Sequence, residues 1–119
     1  MSKKNPEIQF TKGDAYPIPF EVIDLDDNAF NISGAELAFT VRCKSTDPQS
    51  ESIIEKTTGD GITIIGGGVS GEFEVKIDIS DTVDEVARKY HCDVEMILGG
   101  EKNTIFNDFF EIVEDVTKP

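Results

Sequence analysis

Apolar and polar residues alternate with a period of two along several stretches of the chain, the spacing that turns one face of a β-strand to a core and the other to water. Leu37, Phe39, Val41 and Cys43 fall on one side, against Glu36, Ala38, Thr40 and Arg42 on the other. Phe73, Val75, Ile77 and Ile79 alternate in the same way with Glu72, Glu74, Lys76 and Asp78, and Tyr90, Cys92, Val94, Met96 and Leu98 form a third such face. Gly99 and Gly100 follow as a two-residue glycine turn, so the next strand, about 103–113, is predicted to pair antiparallel with the third. That last strand breaks the alternation. Ile105, Phe106, Phe109, Phe110, Ile112 and Val113 fall on both of its faces, with Phe106 and Phe110 on one and Phe109 on the other, which suits a central or partner-covered strand.

The remaining segments are shorter. Ile8 and Phe10 begin a first strand that Lys12, Gly13 and Asp14 break, and residues 16–25 resume it. Pro17 and Pro19 cannot donate ladder hydrogen bonds, which confines the start of this strand to a sheet edge or a bulge. Asp26, Asp27 and Asn28 make the following turn, and a strand is expected to end in Ile32, Ser33, Gly34 and Ala35. Residues 45–50, with Asp47 and Pro48, read as a surface loop; Ile53 and Ile54 mark a short strand, and Gly59, Asp60 and Gly61 turn into residues 62–65. Gly66, Gly67 and Gly68 are expected to be the loosest point, with Ser70 and Gly71 leading into the next strand. One helical turn is predicted near 82–88, where Thr82 and Glu85 have capping-box spacing and Val83, Val86 and Ala87 are placed to plug one end of the fold. The pattern therefore predicts an all-β chain, an antiparallel β-sandwich of about seven to eight strands with one short helical turn.

Length and charge narrow the reading. At 119 residues one core is expected, spanning 1–119 as a single domain, with 1–6 and 117–119 flexible or ordered by a partner. A net charge of -13 repels a phosphate backbone and an anionic membrane alike, so neither nucleic acid nor membrane is an expected partner. No stretch approaches the roughly 20 apolar residues of a membrane-crossing helix, and the opening Met1, Ser2, Lys3, Lys4 and Asn5 lack the apolar segment of a signal peptide. The expectation is a protein whose life begins in a cytoplasm. Cys43 and Cys92 are too few for a disulfide scaffold; both point inward on the alternation, so reduced core thiols are expected, with a bridge between two sheets as the other reading.

The chemistry-bearing residues do not converge. Asp24, Asp26 and Asn28 have the one-three-five spacing of a calcium loop, but Ala29 stands at position six, where glycine is needed, and Ala35 at position twelve, where glutamate is. His91 is the one histidine, and alternation places it away from Tyr90 and Cys92, with no nucleophile beside it. Residues 66–68 precede no phosphate-loop lysine and no helix. No metal, cofactor or catalytic role is expected.

Two resemblances add to this reading. Asp81, Thr82 and Val83 followed by Tyr90, His91 and Cys92 resemble the Asp-Thr to Tyr-x-Cys stretch of immunoglobulin domains, with a longer spacer and with no tryptophan in the chain. That resemblance implies that the Tyr90 hydroxyl closes a corner on a backbone group a few residues upstream. Over residues 8–117, the chain resembles the small β-sandwich domains of tailed phages typified by the N-terminal domain of baseplate upper proteins. The order that carries it is Phe10, Thr11, Lys12, Gly13, Asp14; then Ile32, Ser33, Gly34, Ala35; then Asp81, Thr82 and Tyr90, His91, Cys92, Asp93, Val94; and at the end Thr104, Ile105, Phe106, Val116 and Thr117. The resemblance implies a virion structural protein, assembled in the host cytoplasm, that docks on other virion proteins or on copies of itself. Because the chain stops at Pro119 without a fibre segment, a stand-alone accessory of head, neck, tail or baseplate is expected.

The surface expected to dock is an apolar strip made by the last strand and the proline-bearing first one: Ile105, Phe106, Phe109, Phe110 and Tyr16. Tyr90, Cys43, Cys92, Gly99 and Gly100 are expected to be structural. The alternative function is a carbohydrate-binding or cell-surface adhesion module recognising a host glycan, for which Phe30, Tyr16 and the outward member of Phe109 and Phe110 are the candidate stacking platforms.

Overall fold

The computed structural model describes residues 2–3, 8–42 and 52–114. Among them nine strands form: β1 (Ser2–Lys3), β2 (Ile8–Thr11), β3 (Tyr16–Ile23), β4 (Glu36–Arg42), β5 (Ser52–Thr58), β6 (Gly61–Ile64), β7 (Glu72–Ile77), β8 (Lys89–Leu98) and β9 (Glu101–Val113). A short 3-10 turn (Ile65–Gly68) joins β6 to β7, and a helical turn, α1 (Ile79–Thr82), follows β7 on the way to β8, so there are two short helical turns among the described residues where one was expected. The protein is all-β. Cys43, the 45–50 loop, Val116, Thr117 and the terminal segments 4–6 and 117–119 lie outside the described residues.

Hydrogen bonding links the strands in the order β1-β3-β7-β6-β5-β4-β8-β9-β2. The first two strands sit at opposite ends of that order, Ser2 opposite Ile23 on β3 and Ile8 opposite Phe110 on β9. Lys3 and Ile8 are five residues apart, and a chain that short reaches roughly 18 Å at most. The two ends of the sheet must therefore lie close together, and the sheet curls back over itself. Phe20 of β3 then meets Phe106 of β9 edge to face, with ring centroids 5.2 Å apart, although the two strands share no hydrogen bond.

The concave face so enclosed is the core. Phe10, Phe20, Phe39, Phe73, Phe106 and Phe110 are all buried, and each contributes about 2–3 kcal/mol by leaving water. Phe20 stacks on Phe73 at 5.0 Å and touches Phe39 at 6.1 Å, while Phe10 and Phe39 both approach Phe110. Aromatic rings from β2, β3, β4, β7 and β9 thus connect every region of the curl. Leu37, Val41, Val75, Ile77, Val94, Met96 and Ile112 fill the space between them, as the period-two pattern of their strands requires.

Several expectations give way to the structure. The sheet is mixed, because β2 runs parallel to β9 and β5 parallel to β6, whereas purely antiparallel pairing was expected. Alternation reports which face a residue occupies and carries no information about strand direction. The helical turn falls at Ile79–Thr82, ahead of the expected 82–88. Its capping box uses Asp78 and Asp81, and the Thr82 hydroxyl instead accepts a hydrogen bond from Gly13 N at 2.9 Å. Val83 and Val86 plug nothing; they are exposed. Residues 30–35 form a turn, not the end of a strand, with Ser33 N and Oγ both bonded to Asn31 Oδ1.

Within the glycine stretch, Gly66 and Gly67 are exposed with nothing within 4 Å of an added Cβ, but Gly68 is buried and packed tightly. Ile32 N donates to Gly68 O, and a Cβ on Gly68 would lie 2.8 Å from Ser33 N. At Gly71, φ is +75° and a Cβ would lie 2.5 Å from Val22 O and 2.7 Å from Phe30 O. Pro17 and Pro19 lie opposite Lys76 and Glu74 of β7, in the part of β3 that β1 leaves uncovered, where a missing donor costs nothing.

Gly71→Ala is expected to lower unfolding free energy by about 2 kcal/mol or more, combining backbone strain and the carbonyl clash. Gly34→Ala, at a similar φ of +79° with nothing within 4 Å, isolates the strain alone and is expected to cost about half as much. Urea denaturation of the pair measures the difference; equal losses would mean that the close approach at Gly71 contributes nothing.

Candidate interaction surface

Five strands, β5-β4-β8-β9-β2, present a convex face to solvent, and the residues that alternate outward on them make up the surface. β8 contributes Lys89, His91, Asp93, Glu95 and Ile97, and β9 places Phe109 directly opposite His91. The Phe109 ring lies 5.2 Å from the imidazole, the Lys89 ammonium stands 5.5 Å from its centroid, and 37% of the residue remains exposed. Ile97, on the same face of β8, is 44% exposed.

The other members of the expected strip are placed differently. Phe106, Phe110 and Ile105 are buried in the protein's own core. The register moves from Val94 opposite Phe106 to Glu95 opposite Thr104, leaving Ile105 as an extra residue on β9. This β-bulge turns Ile105 and Phe106 inward together, so one core absorbs apolar neighbours that strict alternation would set on opposite faces. Tyr16 is 40% exposed, but it lies on β3, and its ring stacks on Phe10 at 4.4 Å. Burial, and then the negative charge of Asp14, hold its phenol above the usual range. Phe109 and Tyr16 are thus not brought together into one strip. The glycan platforms fare similarly: Phe110 is in the core, Phe30 is half-buried, and Tyr16 and Phe109 each have ring or cation neighbours of their own.

The residues expected to be structural occupy identifiable positions. Tyr90 is buried, and its hydroxyl donates to Val86 O at 2.7 Å, tying the segment after α1 to the start of β8. Gly99 and Gly100, at φ +62° and +82°, make the tight turn between Leu98 and Glu101. Cys92 is buried on β8. The strand that leads towards Cys43 is β4, which pairs directly with β8 through Arg42 and His91, so it runs beside Cys92 and not across the core from it.

Sequence reasoning missed a groove of about 410 Å³ on this face, lined by Glu36, Leu37, Ala38, Thr57, Thr58, Glu95, Ile97 and Lys102. Its origin is a parting of strands. The β4–β5 ladder stops at Ala38 and Thr57, whereas β4 stays paired with β8 as far as Glu36 and Ile97. The Thr58 hydroxyl replaces the next ladder bond by accepting from Leu37 N at 2.7 Å, and β5 turns away to meet β6. Lys102 Nζ stands 3.4 Å from Glu95 Oε1 across the β8–β9 pair.

Below the groove, Arg42 Nη2 lies 3.7 Å from Asp93 Oδ2. Burial pushes the Asp93 carboxyl above its usual range; Arg42 pulls it down, Glu95 adds to the rise, Lys102 opposes it, and burial prevails. The folded protein therefore holds this proton more tightly than the unfolded chain does. Asp93 favours folding fully below the ordinary value of 3.8, and that contribution is lost as pH rises through the folded-state value.

Asp93→Asn is expected to gain stability relative to the parent as pH rises from about 3 to 7, read as the difference in urea midpoints. A difference that does not move with pH would contradict the dominance of burial. Tyr90→Phe is expected to cost about 1 kcal/mol through the lost bond to Val86 O, again by denaturation. Neither a protein-family model nor a curated protein matches the sequence.

Proposed function

We propose that the chain is an immunoglobulin-like β-sandwich that serves as a structural or accessory module of a tailed-phage virion and works by binding other proteins. Three features support the sandwich reading. The first segment is split between the two ends of the strand order; β2 runs parallel to β9; and the Tyr90 hydroxyl bonds a backbone oxygen four residues upstream. The order of motifs from Phe10 to Phe106 supports the phage reading by resemblance.

The observation that carries the binding reading is the outer face of β8 and β9. Phe109 and Ile97 stand exposed on one sheet face among Lys89, His91, Asp93 and Glu95. An outer sheet face with apolar centres and a charged surround is what a protein surface can cover and desolvate. Sugar recognition would call for an aromatic ring with an open face, and the groove on this surface is lined by none.

Phe109→Asp is expected to reduce incorporation of the protein into purified phage particles at least tenfold, as quantified by mass spectrometry with stoichiometry. The urea midpoint should change little, because the ring is exposed on its outer side. Undiminished incorporation would exclude this face as the docking surface, and absence of the unaltered protein from particles would overturn the virion reading.

A further inference from the structure

The groove where β5 parts from β4 has a composition that specifies what fits it. Ala38 and Ile97 give it an apolar part, Thr57 and Thr58 form the β5 side, and Glu36 and Glu95 place two carboxylates along it. Lys102 is the one cation in the lining, and it is committed to Glu95. That pair is 63% and 40% exposed on its two sides, and an ion pair so open to water exchanges partners at little cost. Glu36 is exposed and has no ion-pair partner among the described residues.

We propose that this groove receives a long basic side chain, lysine or arginine, projecting from a partner protein. The proposal rests on the binding role argued above and names the chemistry of what binds. A neutral or apolar knob entering the groove would strip water from two carboxylates without replacing it, which is unfavourable. A basic side chain avoids this, because its methylenes cover Ala38 and Ile97 while its charged head lies between Glu36 and Glu95. The net charge of -13 directs the same choice at long range, attracting a basic partner and repelling a second copy of this chain.

The test is a titration of the full chain followed by amide chemical shifts, with triarginine and trilysine as probes and triglutamate and a neutral monosaccharide as comparators. The basic peptides are expected to saturate shifts at Glu36, Ala38, Thr57, Thr58, Glu95 and Ile97. The double variant Glu36→Gln, Glu95→Gln should weaken that binding at least fivefold. Asp26→Asn, Asp27→Asn removes the same charge from a distant turn and should weaken it less than twofold. Filling the groove with Ala38→Leu gives a second route to the same loss, and the amide spectrum reports whether each variant is folded.

Shifts spread over the surface with no maximum at the groove would overturn the proposal, as would equal weakening by both double variants or saturation by the monosaccharide instead of the peptides. These outcomes separate from the virion reading. A protein found in particles but silent in the titration overturns the groove alone, whereas one absent from particles but saturable at the groove overturns the virion role alone.

Discussion

The fold depends on one sheet closing upon itself. A single open sheet of this length would leave its whole apolar face in water; curling it brings β3 and β7 over β8 and β9, and the face becomes its own cover. Phe20 is where the closure is made, since its ring touches Phe73 on the neighbouring strand, Phe39 near the middle of the order and Phe106 almost at the far end. Such contacts between non-bonded strands do not arise from local pairing. They hold only when the entire curl is in place, which makes burial of these rings and closure of the sheet one cooperative event.

A closed curl needs a place to turn, and here it is the seam between β5 and β6. Two pairings, Thr57 with Gly61 and Thr58 with Ile62, connect the halves. Two other features follow from that short seam. On the outside, the departure of β5 from β4 opens the groove. On the inside, Lys56, the cross-strand partner of buried Phe39, carries its ammonium to Asp81 at 2.9 Å and Asp78 at 3.3 Å. Burial by itself would lower the Lys56 pKa, but the hydrogen bonds and charges of Asp81 and Asp78 outweigh it and hold the value raised. Lys56 thus bridges β5 to the turn carried by the opposite layer, adding a polar fastening where the ladder is thinnest, and an inward charge of this kind also discourages strand addition at the seam.

What could be read from the sequence follows from what period two encodes. The buried faces of β4, β7 and β8 and the glycine turn at Gly99 and Gly100 were legible, because each is a property of consecutive residues. Strand direction was not, so the parallel pairs of β2 and β5 escaped notice. The helical turn was misplaced because Thr82 bonds Gly13, 69 residues earlier in the chain, and a tertiary demand on a hydroxyl leaves no local trace. The two-faced look of β9 was visible, but its cause, one extra residue at Ile105, belongs to the register with β8 and not to β9 alone. Gly68 read as slack with Gly66 and Gly67 because glycine-rich stretches often are; the backbone atoms that crowd it, and those that crowd Gly71, come from residues 22–33. The groove had no sequence signal for the same reason, being defined by where a ladder stops.

The geometry of the outer face sets the scale of what can cover it. Phe109 sits opposite His91, and the groove is reached at Ile97, six residues further along β8. At roughly 3.3 Å per residue the two lie about 20 Å apart. A protein–protein interface of ordinary size covers about 800 Å² on each partner, a patch about 30 Å across. On the proposed binding role, one partner laid along β8 would span both, with an apolar or aromatic contact at the Phe109 end and a basic side chain at the other. Asp93 lies between the two, its carboxyl already raised by burial within the isolated chain. On the proposed binding role, covering the strand would remove further water from that carboxyl, so binding would draw its proton affinity upward and, by reciprocity, a fall in pH towards the acidic range would strengthen association at the centre of the face.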